Sequence, residues 1–153
     1  MKKKIELRRA SPADAKMVRD LSRAAYAKWV ALIGREPLPM TADYDHAVAT
    51  HLIDLLEKGG EVLALVEMIP KADCLLVENI AVRPDQEGRG LGGRLLHHAE
   101  QMARSLGLGE VQLYTNAAFE SNIAFYAKRG YDVWKRENIA PGATAVFMRK
   151  RIV

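Results

Sequence analysis

Cysteine is nearly absent from this chain of 153 residues, and so are long apolar segments. The single cysteine, Cys74, excludes an internal disulfide and favours a reducing compartment, which we take to be the cytoplasm. No segment approaches the roughly 18–20 apolar residues of a membrane-spanning helix, so no membrane partner is expected. A composition of 49% hydrophobic and 27% charged residues indicates an ordinary globular protein, and the length fits one domain, placed at residues 5–153.

A concentrated basic patch is also lacking. The formal net charge is +4, but the basic residues are scattered along the chain. Lys2-Lys3-Lys4 is soon followed by Glu6, and Arg149-Lys150-Arg151 lies at the end of a strand pattern, so both runs are expected to face solvent. We therefore predict no nucleic-acid partner, whereas an acidic small ligand remains compatible with the charge.

The N-terminal part of the sequence has the pattern of a strand followed by two helices. Residues 5–8 alternate between apolar and polar, which predicts a short strand. Ser11-Pro12 begins a helix that ends near Val30. After a loop rich in proline, a second helix is predicted from Thr41, with an apolar face through Val48, Leu52 and Leu55, to a stop at Gly59-Gly60.

The remaining sequence predicts a sheet with two further helices. Apolar strands at 61–68 and 74–82 form an antiparallel hairpin, and a helical stripe covers 91–106. Because that helix joins the second of these strands to the next one, the two strands should pair in parallel. Three further strands are predicted at 111–115, 131–136 and 144–151, and one further helix at 121–130. The prediction is a mixed α+β fold, with a central, mostly antiparallel sheet and helices on both faces.

The segment VRPDQEGRGLGGRLL contains G-x-G-x-x-G at Gly88, Gly90 and Gly93. A dinucleotide-binding turn requires the strand to lead directly into the glycines and an acidic residue about 20 positions later. Here residues 83–87 intervene, and the next acid, Glu110, lies at the start of a strand. A phosphate-binding P-loop would need Gly-Lys-Ser/Thr, which does not follow. Both nucleotide motifs are therefore excluded.

The same glycines nevertheless predict an anion site. Glycine leaves backbone N–H groups open to close approach, and the helix that follows at once adds the positive end of its dipole. Arg89 and Arg94 can add positive charge at the rim. This combination suits a pyrophosphate.

NIAVRPDQEGRGLGGRLL resembles the central motif of the GNAT superfamily of N-acetyltransferases, in which A-V-x-P leads to Q/R-x-x-G-x-G/A and a helix. The motif falls on Glu87, Gly90 and Gly92, with Glu87 where the family usually has Gln or Arg. NIAFYAKRGY, residues 122–131, is similar to the second cofactor segment of that family. The resemblance implies a domain that moves an acetyl group from acetyl-CoA directly to a primary amine in a ternary complex. The alternative is a non-catalytic coenzyme A sensor or interaction module.

The resemblance also implies which residues bind the cofactor. The strand end near Val82 would hold the acetyl carbonyl and the pantetheine amides through its backbone, if the strand at 111–115 splays away from it. The glycine loop would hold the pyrophosphate, and the helix at 121–130 would complete the site. The predicted set is Ile80, Ala81, Val82, Glu87, Gly88, Arg89, Gly90, Leu91, Gly92, Gly93, Asn122 and Tyr126, with Asn116 as a weaker candidate.

Tyr126 is the candidate general acid, since a phenol with a pKa of about 10 is protonated at neutral pH. Glu78 is the candidate general base, because a carboxylate in an apolar strand is costly to bury and partial desolvation raises its pKa. A Glu78 that pairs with an arginine or lies at a strand irregularity is the alternative interpretation. Asp43 and His46 rank below it as bases.

The acceptor wall is predicted between the first two helices, from Trp29, Arg35, Met40, Asp43 and Tyr44. Asp43 would suit a cationic amine, and Arg35 a carboxylate such as that of an amino acid. The acceptor itself, a small molecule or a peptide, stays open. So does the oligomeric state, although proteins that resemble this one often form dimers through their outer strands.

No metal site is predicted. His97 and His98 are adjacent in a helix and so diverge by about 100°, which is poor geometry for a shared ligand and indicates a solvated face. Cys74 lacks a partner for nucleophilic chemistry and is expected to be a small buried residue.

Overall fold

The computed structural model describes residues 3–152, so that Lys2 of the lysine run and Val153 of the predicted domain lie outside it. The strands are β1 (Ile5–Arg9), β2 (Leu52–Lys58), β3 (Glu61–Pro70), β4 (Leu75–Val82), β5 (Glu110–Asn116), β6 (Asp132–Ala140) and β7 (Ala143–Arg151). The helices are α1 (Ala15–Tyr26), α2 (Val30–Ile33), α3 (Leu38–Thr41), α4 (Tyr44–Thr50), α5 (Leu91–Ser105) and α6 (Glu120–Lys128). Single 3₁₀ turns at Pro12–Asp14, Ala27–Trp29 and Pro84–Gln86 precede α1, α2 and the glycine loop.

These strands form one sheet in the order β1-β2-β3-β4-β5-β7-β6. Among the strand pairs of residues 3–152, only β4–β5 is parallel, because α5 connects these two strands by a crossover. The predicted mixed fold, with a mostly antiparallel sheet and one parallel pair, is confirmed. None of the helices in residues 3–152 has the length and apolar character needed to cross a membrane.

Helices cover both faces of the sheet because the strands alternate. Val66 and Met68 of β3 pack with Leu95 and Leu96 of α5 on one face. Leu65, the residue just before Val66, packs with Val18 of α1 on the other. Successive strand residues point to opposite faces, so the almost wholly apolar β3 contributes to both cores.

The predicted second helix is wrong beyond residue 50. Helix α4 ends at Thr50, and its cap is Asp43, whose carboxylate accepts a hydrogen bond from the N–H of His46 at 3.1 Å. Leu52 to Lys58 then form β2, which pairs with β1 and β3. Gly59-Gly60 is the two-residue turn of the β2–β3 hairpin, with both φ angles positive at 60° and 86°. Leu52 and Leu55 fit a helical spacing after Val48, but pairing with strands distant in sequence decides their conformation.

His98 also differs from the expectation of a solvated face. His97 is exposed, whereas His98 reaches Asp54 of β2, with 2.7 Å between Nε2 and the carboxylate. Asp54 is buried and also accepts a hydrogen bond from Arg9. Burial raises the pKa of Asp54, but the hydrogen bonds from His98 and Arg9 outweigh that effect and hold the pKa below its usual value. The ionised carboxylate therefore ties α5 to the sheet.

Asp54→Asn is expected to lower the free energy of unfolding at pH 7 by about 1–3 kcal/mol, because a buried charged hydrogen-bond partner is lost. A carboxyl whose pKa is depressed by folding stabilises above its unfolded pKa, and this stabilisation is lost as the pH falls through the folded pKa. The difference between wild type and variant should therefore narrow below about pH 4. Urea unfolding at pH 7 and below about pH 4 measures this difference in the free energy of unfolding. The exposed Asp20→Asn on α1 is the control. Equal stabilities at pH 7 would contradict the role of Asp54.

Candidate active site

The parallel pair β4–β5 opens at Glu78. The two strands are paired only at Leu75–Val111, Leu76–Gln112 and Val77–Leu113. On the other side of β4, Glu67 and Met68 of β3 face Asn79 and Val77, so the ladder skips Glu78. Glu78 is thus the residue at which β4 bulges from its ladder with β3 and beyond which it no longer pairs with β5. The splay that the sequence interpretation required is present.

Two cavities of similar size meet at this opening. One, of about 400 Å³, lies between the splayed strands and the loop before α3, and we call it the acceptor cavity. The other, of about 410 Å³, lies between the glycine loop and α6, and we call it the cofactor cavity. Tyr26, Ile80, Asn122 and Tyr126 line both. A ligand in one cavity would therefore contact a ligand in the other beside these four residues.

The glycine loop forms an open cradle at the start of α5. Gly90 is the N-cap with φ of 78°, and a Cβ placed there would meet no atom within 4 Å. The first N–H groups of a helix have no partner within the helix, so those of Leu91, Gly92 and Gly93 face the cradle together with the positive end of the helix dipole. Free space, free donors and positive potential fit a pyrophosphate.

Positive side chains reach this cradle from elements distant in sequence. Lys28, after α1, binds the Glu87 carboxylate at 2.9 Å and compensates its charge. The guanidinium of Arg129, just after α6, stacks on Phe125, 3.8 Å from the ring centre, and also lines the cofactor cavity. Neither residue was a sequence candidate. Lys28 carries no local signal, whereas Arg129 lies inside the second cofactor segment and could have been noted.

Most of the predicted cofactor residues surround the cofactor cavity. Ala81 does not, because it points to the opposite face of β4 and is buried in the core. Arg89 is exposed beyond the lining, and Arg94 donates to the carbonyl of Ile5. Asn116 instead accepts a hydrogen bond from the N–H of Ala118. The predicted residues that line the cavity are Ile80, Val82, Glu87, Gly88, Gly90, Leu91, Gly92, Gly93, Asn122 and Tyr126.

Tyr126 lies where the two cavities meet. Its ring packs edge-on against Phe125 and Tyr131, with ring centres 5.3 and 6.1 Å apart. Burial raises the pKa of Tyr126 to about 12. Its hydroxyl is therefore protonated across the physiological range and can act as a hydrogen-bond donor to either ligand.

Glu78 lines the acceptor cavity and pairs with a tyrosine rather than an arginine. The Tyr114 hydroxyl donates to Glu78 Oε1 at 2.7 Å, across the gap between the splayed strands. Burial raises the pKa of Tyr114, and the hydrogen bond to Glu78 raises it further. Tyr114 therefore stays a donor and fixes the orientation of the carboxylate. The sequence analysis missed Tyr114. Buried and half-buried positions alternate along β5, and this pattern does not distinguish Tyr114 from the other half-buried residues.

Asn79, next to Glu78, has an unused acceptor. Its Nδ2 donates to Ser22 Oγ at 3.0 Å and to the Tyr44 hydroxyl at 3.3 Å, which fixes the direction of the amide. Its Oδ1 is buried and accepts no hydrogen bond from any residue in the described range. Asn79 lines the acceptor cavity, but this oxygen is itself enclosed by protein atoms and not exposed to the cavity.

The predicted acceptor wall is only partly brought together. Arg35 lines the acceptor cavity. Trp29 lies against the cofactor cavity instead and stacks on Phe119, with ring centres 4.2 Å apart. Met40 and Tyr44 are buried beneath the loop. Asp43 and His46 line a smaller cavity of about 210 Å³ that Glu78 also reaches.

Two ligand-sized cavities that meet beside a carboxylate and a phenol are the arrangement of a group-transfer enzyme. A family model described as the Acetyltransferase (GNAT) family matches residues 16–131, and the chain belongs to this family. The predicted resemblance is thereby confirmed.

Solved structures share this fold. The PaiA N-acetyltransferase from Thermoplasma acidophilum, in complex with coenzyme A, is 18% identical with a TM-score of 0.83, over 97% of this chain and 99% of that one. The ribosomal-protein-S18-alanine N-acetyltransferase from Escherichia coli is 20% identical with a TM-score of 0.79, over 97% and 94%. A GNAT family acetyltransferase from Elizabethkingia anophelis with acetyl-CoA bound is 15% identical with a TM-score of 0.75, over 96% and 97%.

Proposed function

We propose that this protein transfers an acetyl group from acetyl-CoA to a primary amine, directly and within a ternary complex. The observation that carries the proposal is the meeting of the two cavities at the β4–β5 opening, with Tyr126 in both and Glu78 in the acceptor cavity. Residues 5–153 are proposed to act as one domain, supported by the single continuous sheet. Cys74 remains the reason to expect the cytoplasm.

The cofactor cavity fits coenzyme A through backbone groups. The N–H groups of Gly90 to Gly93 would hold the pyrophosphate, and the β4 edge at Ile80 to Val82, free of β5, would hold the pantetheine amides. Arg129, which lines the cavity, adds positive charge. Glu87 departs from the Gln or Arg usual in the family, but its ion pair with Lys28 removes the repulsion of a phosphate.

Acetyl-CoA supplies an already activated thioester, so no covalent enzyme intermediate is required. Glu78, oriented by Tyr114, takes the proton that the attacking ammonium must lose before its nitrogen can form the amide bond. Tyr126 would donate a hydrogen bond to the sulfur as the carbon–sulfur bond breaks, and the second proton that the amine nitrogen loses would pass to the thiolate, so that coenzyme A leaves as the thiol. With its pKa at about 12, Tyr126 acts chiefly as a hydrogen-bond donor that stabilises the leaving sulfur.

Thiol release from acetyl-CoA across a panel of small amines and peptide N-termini tests the activity. Calorimetric titration with coenzyme A and with NAD tests the cofactor. Binding of NAD without coenzyme A would overturn the proposal. Binding of coenzyme A without thiol release from any amine would favour the non-catalytic sensor instead.

Tyr126→Phe is expected to lower kcat by about 10- to 100-fold while coenzyme A affinity changes little, because only the hydroxyl is removed. Tyr131→Phe is the matched control, since Tyr131 is equally aromatic but lies outside both cavities and donates to Glu100. Steady-state thiol release measures both variants. An unchanged kcat in Tyr126→Phe would refute the role of the hydroxyl.

A further inference from the structure

The acceptor cavity contains two charges of opposite sign without a partner of opposite charge. Its charged lining residues are Arg35, Glu36 and Glu78. Glu36 is neutralised by Arg23, at 3.0 Å. Glu78 receives only the neutral Tyr114 hydroxyl, and no described residue forms an ion pair or side-chain hydrogen bond with Arg35. A ligand that fills the cavity therefore meets one negative and one positive group.

The loop that carries Arg35 is held in place on both sides. The Arg23 guanidinium of α1 binds Glu36 and donates to the carbonyl of Met40 at 2.6 Å. Pro37, two residues after Arg35, is buried, and the Tyr44 hydroxyl donates to the carbonyl of Pro39. These contacts fix the backbone around Arg35. The Arg35 side chain itself is exposed and lines the cavity from this anchored loop.

The wall between these charges is largely apolar. It is built from side chains of the loop, of α2, of the β6–β7 hairpin and of the segment before α6, namely Ile33, Pro37, Leu38, Pro39, Phe119 and Ile139. Leu38 is 63% exposed and Ile139 is 49% exposed. Such large apolar surface at a cavity mouth gains from contact with an apolar ligand. A highly charged acceptor would leave this surface unused.

We propose that the acceptor is a small amino acid-like molecule, with a primary amine, an apolar side chain and a carboxylate. This inference rests on the proposed acetyl transfer. The ammonium would lie beside Glu78, the apolar body along the wall, and the carboxylate on the Arg35 fork. Polyamines and aminoglycosides are disfavoured, because a second ammonium would face Arg35.

The test compares L-phenylalanine with L-phenylalaninamide, which lacks the negative charge, in wild type and in Arg35→Met. The ratio of kcat/KM for acid over amide is expected to fall by about 10- to 100-fold in the variant, since a charged hydrogen bond contributes on that scale. Comparing the ratio between proteins cancels the different intrinsic reactivities of the two amines. Arg151→Met, an exposed arginine at the end of β7 and outside both cavities, is the matched control and should leave the ratio unchanged. Spermidine and a peptide N-terminus complete the panel.

An unchanged ratio in Arg35→Met, or a preference for spermidine or the peptide, would overturn the inference while leaving acetyl transfer intact. Titration of N-acetyl-L-phenylalanine into the coenzyme A complex gives a second readout that needs no turnover. Its affinity should fall by a similar factor in Arg35→Met, and equal affinities would also overturn the inference. Failure of the proposed function would instead appear as no thiol release from any amine in the wild type.

Discussion

Gly90→Asp is expected to weaken coenzyme A binding by at least about a hundredfold, because a carboxylate beside a pyrophosphate costs several kcal/mol. Gly90 is the N-cap of α5, and a Cβ there would point into open space rather than into protein atoms. The substitution therefore places the new charge in the cradle without a clash. Aspartate is also among the residues that tolerate positive φ best, so the fold should survive.

Gly107→Asp is the matched control for the glycine cradle. Gly107 lies just after the opposite end of the same helix, has φ of 72° against 78° at Gly90, and likewise has no atom within 4 Å of an added Cβ. Gly107→Asp should lose more stability by thermal unfolding, because its carboxylate lies near the negative end of the helix dipole, but only Gly90→Asp should lose coenzyme A binding by calorimetry. Gly90→Asn separates the effect of charge from that of bulk. Equal affinities in Gly90→Asp and wild type would refute the phosphate assignment.

Features encoded locally could be predicted from the sequence. The apolar stripe of α5 and the glycines before it lie within one segment, so helix, cradle and dipole could be read together. The β3–β4 hairpin and the closing pair β6–β7 were predicted for the same reason. The predicted second helix shows the limit of local patterns. Leu52 and Leu55 fit the spacing of a helix as well as that of a strand, and only pairing with β1 and β3 places them in a strand.

The acceptor side depends on contacts between distant segments, and sequence patterns do not encode these. Tyr114 meets Glu78 across the splayed strands, and Lys28 meets Glu87 across 59 positions. Glu78 could be singled out, as a carboxylate in an apolar strand, and its bulge is the strand irregularity that the sequence allowed as an alternative. Of the five predicted acceptor residues, Arg35 lines the acceptor cavity. The irregular loop turns Met40 and Tyr44 into the core instead.

Glu78→Gln is expected to lower kcat at neutral pH by about a hundred- to ten thousandfold, the usual contribution of a positioned general base. The substitution keeps the shape of the side chain, and an amide oxygen can still accept the hydrogen bond from Tyr114. The bulge and the coenzyme A affinity should therefore be preserved. What is lost is the group that takes the proton from the attacking ammonium.

The pH dependence distinguishes loss of a base from loss of structure. As the pH rises towards the pKa of the free amine, more acceptor reaches the site already deprotonated, so the rate of Glu78→Gln should recover relative to wild type. Glu110→Gln, near the opposite end of the β4–β5 pair, is the matched control, since Glu110 lies outside both cavities and accepts from Gln112. Thiol release from pH 6 to 10 measures all three proteins. A deficit in Glu78→Gln that stays constant over this range would show that Glu78 positions the acceptor instead of deprotonating it, because only a base can be replaced by hydroxide in the solvent.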